Sequence, residues 1–245
     1  MDQDPIQCVI SQFDLIGILP HGKPNAIGMW PNEQECLIWA ASQTDPNCAW
    51  VEIGSFCGGS ALLLGYTSNF WGGNNQIFAI DAAFNPMFDL NVKRSKLDNI
   101  VKIEDTSFMV LGEWSIHKPI SFLFLDGYHS FRNVVTEFEL AQSHFTDDII
   151  VAFHDCSPNM WTHNDHIIET LTNNAYAMFD NLMNSTEEDF YIDEAIAYIC
   201  SRYNYEIIDI PIREPLAYHK ETGLNGWVRG RTSPHNAFTA IRKTK

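Results

Sequence analysis

The sequence AWVEIGSFCGGSALLLG, Ala49 to Gly65, decides the fold of this 245-residue chain. Ala49 to Ile53 is a short apolar run typical of a buried strand, and it carries Glu52 just before a turn. Glycines follow at Gly54, Gly58 and Gly59, and the apolar run after Ser60 predicts a helix. Glycine accepts positive φ and has no Cβ, so Gly54 permits the turn and the later glycines permit close approach of a ligand. The stretch therefore predicts a nucleotide-sized notch between a strand and a helix.

The glycine spacing distinguishes this turn from two common phosphate-binding turns. A phosphate loop requires a lysine after its second glycine, and no lysine occurs between Lys23 and Lys93. The dinucleotide pattern Gly-x-Gly-x-x-Gly is also absent, because three residues separate Gly54 from Gly58. Glu52 suits a ligand that carries an ammonium and a sulfonium, such as S-adenosylmethionine (SAM), and would be misplaced against a pyrophosphate. We therefore predict SAM contacts in this turn, with a purely structural turn as the alternative; the residues are Glu52, Gly54, Ser55, Phe56, Gly58, Gly59 and Ser60.

The composition narrows the class of protein. An apolar fraction of 45% and an aromatic fraction of 13% are typical of a globular chain. The formal charge of −16, from 31 acidic and 15 basic residues, argues against nucleic acid and anionic membranes as partners. The six cysteines include no Cys-x-x-Cys pair, which is typical of a reducing compartment. We expect a cytoplasmic protein with a small-molecule partner; the sequence does not indicate an oligomeric state.

The apolar pattern predicts one α/β domain over residues 1–245. Residues 1–45 form a lead-in and a helix that starts at Asn32 with Glu35 as a capping-box partner. Residues 46–158 form the core, and residues 159–245 add helices as a lid or insert and the terminal strands. The further strands predicted are Gln76 to Ile80, Ile100 to Ile103, Ile120 to Leu125, Ile149 to Phe153, Glu206 to Pro211, Gly226 to Val228 and Phe238 to Ile241.

Polar residues follow four consecutive predicted strands. In an open α/β sheet, ligands bind outside the carboxyl ends of the strands, so these residues should surround one crevice. Asp81 is placed to accept hydrogen bonds from ribose hydroxyls, with Ala82 beside it. Thr106 and Ser107, after the next strand, are placed to contact an adenine or a water. The last two strands end in Asp126-Gly127-Tyr128-His129-Ser130 and His154-Asp155. Each end has a simpler explanation as a solvated acid or a helix cap.

The segments VEIGSFCGGSALLL, FAIDA, FLFLDGYHSFRNVVTEFEL and IIVAFHDC, in this order, resemble the class I SAM-dependent methyltransferases, in particular the small-molecule O-methyltransferases. The resemblance covers roughly Asn32 to Pro158. It implies a Rossmann-like, seven-stranded, mostly parallel sheet with helices on both faces and an antiparallel last strand. It also implies that Glu52, Gly54 and Gly58 surround the methionine part of SAM, and that Asp81 binds the ribose, with Asp126 and Gly127 also lining the cofactor site.

The same resemblance suggests residues for catalysis. Methyl transfer needs a positioned, deprotonated acceptor oxygen, and a histidine can take its proton. We expect His129 to be the base, with His154 as the alternative; a cap or cofactor contact would also explain His129. Catechol-type relatives hold Mg²⁺ with acids at positions that match Asp126 and Asp155, so we expect these two acids to bind either Mg²⁺ or substrate hydroxyls. The third ligand position falls on Cys156, a poor partner for a hard cation, so Mg²⁺ is a conditional expectation.

Two other functions fit parts of the sequence. A metal-dependent, hydroxylase-like enzyme could use a histidine and aspartate cluster made of His154, Asp155, His163, Asp165 and His166. A non-catalytic protein could have kept the fold, although the glycine turn and the strand-end acids are intact. Within the methyltransferase hypothesis, the acceptor is a sugar or phenolic hydroxyl, and N- or C-methylation stays open.

Overall fold

A computed structural model describes residues 4–15, 29, 31–114, 117–156, 165–184, 191–211 and 238–244. Its helices are α1 Pro5–Leu15, α2 Pro31–Ser42, α3 Gly59–Phe70, α4 Met87–Ser95, α5 Ser107–Gly112, α6 Phe131–Ala141, α7 Asp165–Asn184 and α8 Ile192–Tyr203. Its strands are β1 Ala49–Ile53, β2 Ile77–Asp81, β3 Ile100–Glu104, β4 Ile120–Leu125, β5 Phe145–Phe153, β6 Tyr205–Ile207 and β7 Thr239–Lys243. Strands and helices alternate through the first half of the chain, as parallel pairing requires.

The strands form one seven-stranded sheet in the order β3-β2-β1-β4-β5-β7-β6. The pairs among β1 to β5 are parallel, whereas β7 runs antiparallel to both β5 and β6. This topology confirms the predicted Rossmann-like sheet with an antiparallel last strand. The chain order reverses direction across the sheet beside β1 and β4, so their carboxyl ends flank the crevice where ligands bind in such folds.

The core lies on both faces of the sheet. Val51 of β1 packs into a cluster with residues of α5, α6, α7 and α8 on one face. Trp50, its neighbour in the strand, packs with α1, α2 and α3 on the other face. Successive strand residues point to opposite faces, so a strand covered on both sides must be apolar throughout. Every residue of β1 and β4 is buried, which fixes the heights of the two strand ends at the crevice.

Several predicted boundaries differ from the structure. The helix predicted from Asn32 begins at Pro31, because proline has no N–H to lose at the first helical position. β5 begins at Phe145 instead of Ile149. The pattern did not indicate this start, because the first four residues are half-buried or exposed and do not form an apolar run. The strand predicted at Glu206 to Pro211 is Tyr205–Ile207, which is paired on one side by β7. The strand predicted at Gly226 to Val228 lies outside the described residues.

No helix in the described ranges is long and apolar enough to cross a membrane.

Candidate functional site

Gly54 marks the closest approach between the ends of β1 and β4. Its φ is 89°. A Cβ at this position would lie 2.2 Å from the carbonyl oxygen of Asp126, far inside contact distance. The Gly54 N–H donates to Ile80 O at 2.9 Å, and the Asp126 N–H donates to Ile53 O at 2.9 Å. The ends of β1, β2 and β4 are therefore held together by backbone hydrogen bonds, which only a glycine permits here.

Glu52 is a fully buried carboxyl group immediately before the glycine turn. Its Oε2 accepts a 2.6 Å hydrogen bond from Ser55 Oγ. Burial raises the pKa of Glu52 to about 7, and the hydrogen bond from Ser55 and the nearby Ser60 hydroxyl only partly offset this effect. Among the described residues, no donor meets Glu52 Oε1 with hydrogen-bond geometry. A buried acceptor of this kind can take a donor from a bound cation without further desolvation of the protein.

Asp81, at the end of β2, closes the glycine turn from the other side. Its Oδ2 accepts from the Phe56 N–H at 2.8 Å, and its Oδ1 accepts from the Ala83 N–H at 2.9 Å. Phe56 itself has a φ of 42° and is 61% exposed, an unusual combination for an aromatic residue. Asp81 thus holds the turn in shape and keeps its carboxylate at the mouth of the crevice, where the sequence predicts a ribose contact.

A cavity of roughly 480 Å³ lies over these strand ends. Its predicted lining residues include Gly54, Phe56, Asp81, Ala82, Thr106, Ser107, Asp126 and Gly127. The other residues predicted to contact SAM are buried and do not line the cavity: Glu52, Ser55, Gly58, Gly59 and Ser60. The structure therefore brings eight of the thirteen predicted residues to the cavity wall, and the other five lie buried in β1, the glycine turn and the start of α3.

Sequence reasoning missed the wall that α6 contributes to the cavity. Asn133 and Glu137 both line it, and they lie four residues apart on one face of the helix. Glu137 Oε1 accepts a 2.6 Å hydrogen bond from Ser107 Oγ, and burial raises the pKa of Glu137 to about 7, partly offset by that hydrogen bond. In the sequence, the only indication of this wall is a glutamate beside the apolar positions of an amphipathic helix. The same pattern occurs at the edges of helices that bind no ligand.

Histidines and acids form a chain of contacts between the ends of β4 and β5. His154 Nδ1 lies 3.0 Å from Asp126 Oδ1 and 3.6 Å from Asp155 Oδ1. His129 bridges the same two acids, with Nε2 3.6 Å from Asp126 Oδ1 and Nδ1 3.4 Å from Asp155 Oδ2. At its far end the chain reaches α2, where His154 Nε2 lies 3.2 Å from Glu33 Oε2. The sequence predicted four of these five residues but not Glu33.

The electrostatic interactions among these histidines and acids favour the charged forms of His154 and Asp126. Burial by itself disfavours the charged form of His154, but the carboxylates of Asp126 and Glu33 outweigh it and raise the His154 pKa well above its usual value. Burial likewise opposes ionisation of Asp126, yet the charge of His154, its close contact at 3.0 Å and the nearby His129 lower the Asp126 pKa to about 2. The pair is therefore an imidazolium and a carboxylate held in contact, with each charge offsetting the burial cost of the other.

The side chains at the predicted metal position do not fit Mg²⁺. The Asp126 carboxylate is engaged by two imidazoles, and oxygen ligands are what Mg²⁺ requires. Cys156, at the third position, is buried with its Sγ 3.9 Å from Phe153 O, and burial raises the pKa of this thiol well above its usual value. Within the described ranges, no three His, Cys, Asp or Glu side chains are grouped to hold a metal ion. The hydroxylase alternative also needs His163 and the side chains of Asp165 and His166. These lie outside the part of the protein that the structure describes.

Comparison with known proteins supports this reading of the fold. Residues 51–156 match the family model described as a methyltransferase domain. They are less than half of the chain but include every residue that lines the cavity. A search of curated protein sequences finds no match.

Solved structures of methyltransferases have the same architecture. A Bacillus cereus O-methyltransferase in complex with S-adenosylhomocysteine (SAH) is 15% identical, covering 85% of this chain and 84% of its own, with a TM-score of 0.51. A SAH-bound Podospora anserina methyltransferase is 11% identical, covering 97% and 88%, with a TM-score of 0.55. The Streptomyces achromogenes O-methyltransferase TomG, in complex with SAM, is 11% identical, covering 100% and 92%, with a TM-score of 0.52. At these identities the likeness establishes the fold alone: the chain has the class I methyltransferase fold.

Proposed function

We propose that this protein is a SAM-dependent O-methyltransferase that acts on a small molecule with a sugar or phenolic hydroxyl. The observation that carries the proposal is the pair of carboxyl groups around the glycine turn. Glu52 is buried beside Ile53 and Gly54 of the cavity wall, with an oxygen that no described donor meets, and Asp81 lines the cavity itself. A ligand with an ammonium at one end and ribose hydroxyls further along matches both groups, whereas a pyrophosphate would be repelled by both.

Residues of the cavity wall, with Glu52 buried next to it, would divide the cofactor between them. Glu52 and Gly54 would hold the methionine end, with the N-terminus of α3 beside them, and Asp81 would accept from the ribose hydroxyls. Thr106 and Ser107, with Glu137 behind, would meet the adenine edge. SAM supplies the electrophilic methyl group when it is bound. The chain supplies position, because a methyl transfer in line requires the acceptor oxygen to be held close to the methyl carbon.

His129 is the residue we assign to proton removal from the acceptor hydroxyl. It lies between the carboxylates of Asp126 and Asp155, which would stabilise the imidazolium once His129 has taken the proton. His154 is a weaker candidate, because its ring nitrogens lie closer to carboxylate oxygens, at 3.0 Å and 3.2 Å, than those of His129, at 3.4 Å and 3.6 Å. No step of this mechanism uses a metal ion. Because the whole chain has a formal net charge of −16, we also propose a small-molecule partner and a cytoplasmic setting, not nucleic acid or membrane.

Calorimetric titration with SAM and with SAH tests the cofactor assignment. We expect binding by the wild-type protein, and binding weakened about tenfold or more in Asp81→Asn, because a hydrogen bond to a charged acceptor contributes roughly 1.5–3 kcal/mol. Asp89→Asn is the matched control: Asp89 is an exposed acid on α4 that pairs with Lys102, so its variant should bind as the wild type does. If the wild type binds neither compound, the methyltransferase assignment is wrong.

The same series tests the base. His129→Gln should bind SAH with nearly wild-type affinity, while SAH release in the presence of a panel of phenols and sugars should fall by about 100-fold or more. Equal turnover in His129→Gln and wild type would remove His129 from the chemistry and leave the cofactor assignment intact.

A further inference from the structure

Glu137 is a carboxyl group that is buried and also lines the cavity. It lies in α6, and only 2% of it is exposed. Its neighbours in the helix, Val134 and Phe138, are apolar and pack into the core. A carboxyl group is seldom buried so completely unless a partner offsets the cost of desolvation. The side chain of Glu137 therefore needs hydrogen-bond donors at this wall.

The protein itself supplies one such donor. Ser107 Oγ donates to Glu137 Oε1 at 2.6 Å, because α5 packs against α6. The other oxygen, Oε2, accepts a hydrogen bond from no donor among the described residues. An ionised carboxylate can accept about four hydrogen bonds, so most of its capacity is unused. Since Ser107 and Glu137 both line the cavity, a ligand there can supply a further donor.

The order of the strands places this acceptor at one end of the proposed cofactor. Glu52 is at the end of β1, Asp81 at the end of the neighbouring strand β2, and Ser107 follows β3, the next strand in the sheet. A ligand with its ammonium near Glu52 and its ribose at Asp81 therefore extends its base towards the start of α5. Glu137 contacts Ser107 at that point.

The groups at this end of the cavity suit an adenine ring. Ile80 and Phe108 line the cavity and offer apolar surfaces to a planar base. The amino group of adenine is a hydrogen-bond donor, which is what a carboxylate oxygen requires. A base with a carbonyl oxygen in place of this amino group would bring two acceptors together, with no hydrogen between them.

We propose that Glu137 determines specificity for the nucleobase of the cofactor: Ser107 holds Oε1, and Oε2 accepts a hydrogen bond from the amino group of adenine. This role rests on the proposed function, because it requires the nucleoside of SAM in the cavity. It adds a selection against hypoxanthine, which has a carbonyl oxygen at the same ring position. The N–H beside that oxygen could reach Glu137 only if the base shifted, which the ribose contact at Asp81 opposes.

S-inosylhomocysteine, the deaminated form of SAH, is the probe for this selection. Calorimetric titrations at about pH 8 keep Glu137 ionised, because burial raises its pKa only to about 7. We expect the wild type to bind SAH at least about tenfold more tightly than S-inosylhomocysteine, since a hydrogen bond to a charged acceptor is replaced by a contact between two acceptors.

Glu137→Gln should reverse the chemistry of this wall while keeping its shape. The amide oxygen can still accept from Ser107, and the amide nitrogen then presents hydrogens to the cavity. SAH should bind about tenfold more weakly than to the wild type, and S-inosylhomocysteine at least as tightly, so the preference is lost or reversed. Glu137→Asp is the second variant: it withdraws the carboxylate by one methylene, which should weaken SAH binding and leave S-inosylhomocysteine binding unchanged. A purely structural role would weaken both compounds by the same factor.

Glu139→Gln is the matched control, because Glu139 is an exposed acid on the same helix that accepts from the Tyr203 hydroxyl. It should keep the wild-type preference. Melting curves by circular dichroism show which variants are folded before their affinities are compared.

Two results would overturn the role of Glu137 and leave the SAM assignment intact. One is equal affinity of the wild type for SAH and S-inosylhomocysteine, and the other is a wild-type preference that persists in the folded Glu137 variants. A wild type that binds neither compound would overturn the proposed function and this role together, so the two failures are distinguishable.

Discussion

Among single residues, Gly54 is the one on which the cavity depends most directly. Gly54→Ala would place a methyl group against the Asp126 backbone in a conformation that L-residues rarely adopt. The backbone conformation alone costs about 1–3 kcal/mol, and relief of the clash would separate the ends of β1 and β4. We expect a lower free energy of unfolding, measured by urea denaturation, and loss of SAH binding in calorimetry.

Gly112→Ala is the control for this change. Nothing lies within 4 Å of a Cβ built on Gly112, which ends α5 at ordinary φ. Alanine there should leave the unfolding free energy unchanged or raise it by up to about 1 kcal/mol, because alanine is favoured over glycine in helices. A Gly54→Ala protein as stable as Gly112→Ala would show that the two strand ends can separate at little cost.

At the scale of elements, the sequence predicted what is local in the chain. The strand, turn and helix around Gly54 follow one another within Ala49 to Gly65, and each parallel strand carries its own polar end. The sequence could not predict contacts between residues that the order of strands in the sheet brings together. The Glu33 to His154 contact joins residues 121 positions apart, and it exists only because α2 packs on β5. The α6 wall is similar: Glu137 meets Ser107 because β4 is inserted beside β1, which places α6 next to α5.

The N-terminus of α6 is an element-level feature that supports the cavity. Ser130 is the N-cap residue, and its Oγ accepts a 3.2 Å hydrogen bond from the N–H of Asn133, which lines the cavity. Ser130→Ala should lower the free energy of unfolding by about 1 kcal/mol, the usual value of such a cap. Thr106→Ala is the comparison, because Thr106 occupies the N-cap of α5 without a side-chain capping bond. Equal losses in the two variants, measured by urea denaturation, would contradict the capping role.

For the whole molecule, the acidic balance and the buried charges make stability depend on pH. The pKa of both Glu52 and Glu137 is raised to about 7 by burial, so the folded state holds protons that the unfolded state has released. The two glutamates therefore make the folded state less stable as pH rises from the ordinary carboxyl pKa, near 4.3, to about 7. The pKa of His154 is also raised, so its contribution is complete below about pH 6.5 and is lost as pH rises further.

The contribution of Asp126 to stability changes with pH in the opposite direction, but it does so in a different pH range. Its pKa is lowered to about 2 by His154 and His129 against the effect of burial, so its stabilisation is complete above the ordinary carboxyl pKa and lost only in strong acid. Mutual repulsion among an excess of 16 negative charges adds to the loss of stability at higher pH. Between about pH 5.5 and about pH 8, the buried glutamates, His154 and the net charge therefore all act in one direction.

We expect the ligand-free protein to unfold at a lower temperature at about pH 8 than at about pH 6, and added salt to raise the Tm more at about pH 8, because salt screens the repulsion between surface charges. Calorimetric or spectroscopic melting curves at both pH values and at two salt concentrations measure this directly. SAM should reduce the difference, since its positive charge beside Glu52 favours the ionised carboxylate that is costly without a ligand. A Tm without ligand that is equal or higher at about pH 8 would contradict this expectation. It would mean that the buried glutamates gain water or hydrogen-bond partners when they ionise. The site inferred for a cation at Glu52 would then be less desolvated than the burial of Glu52 indicates.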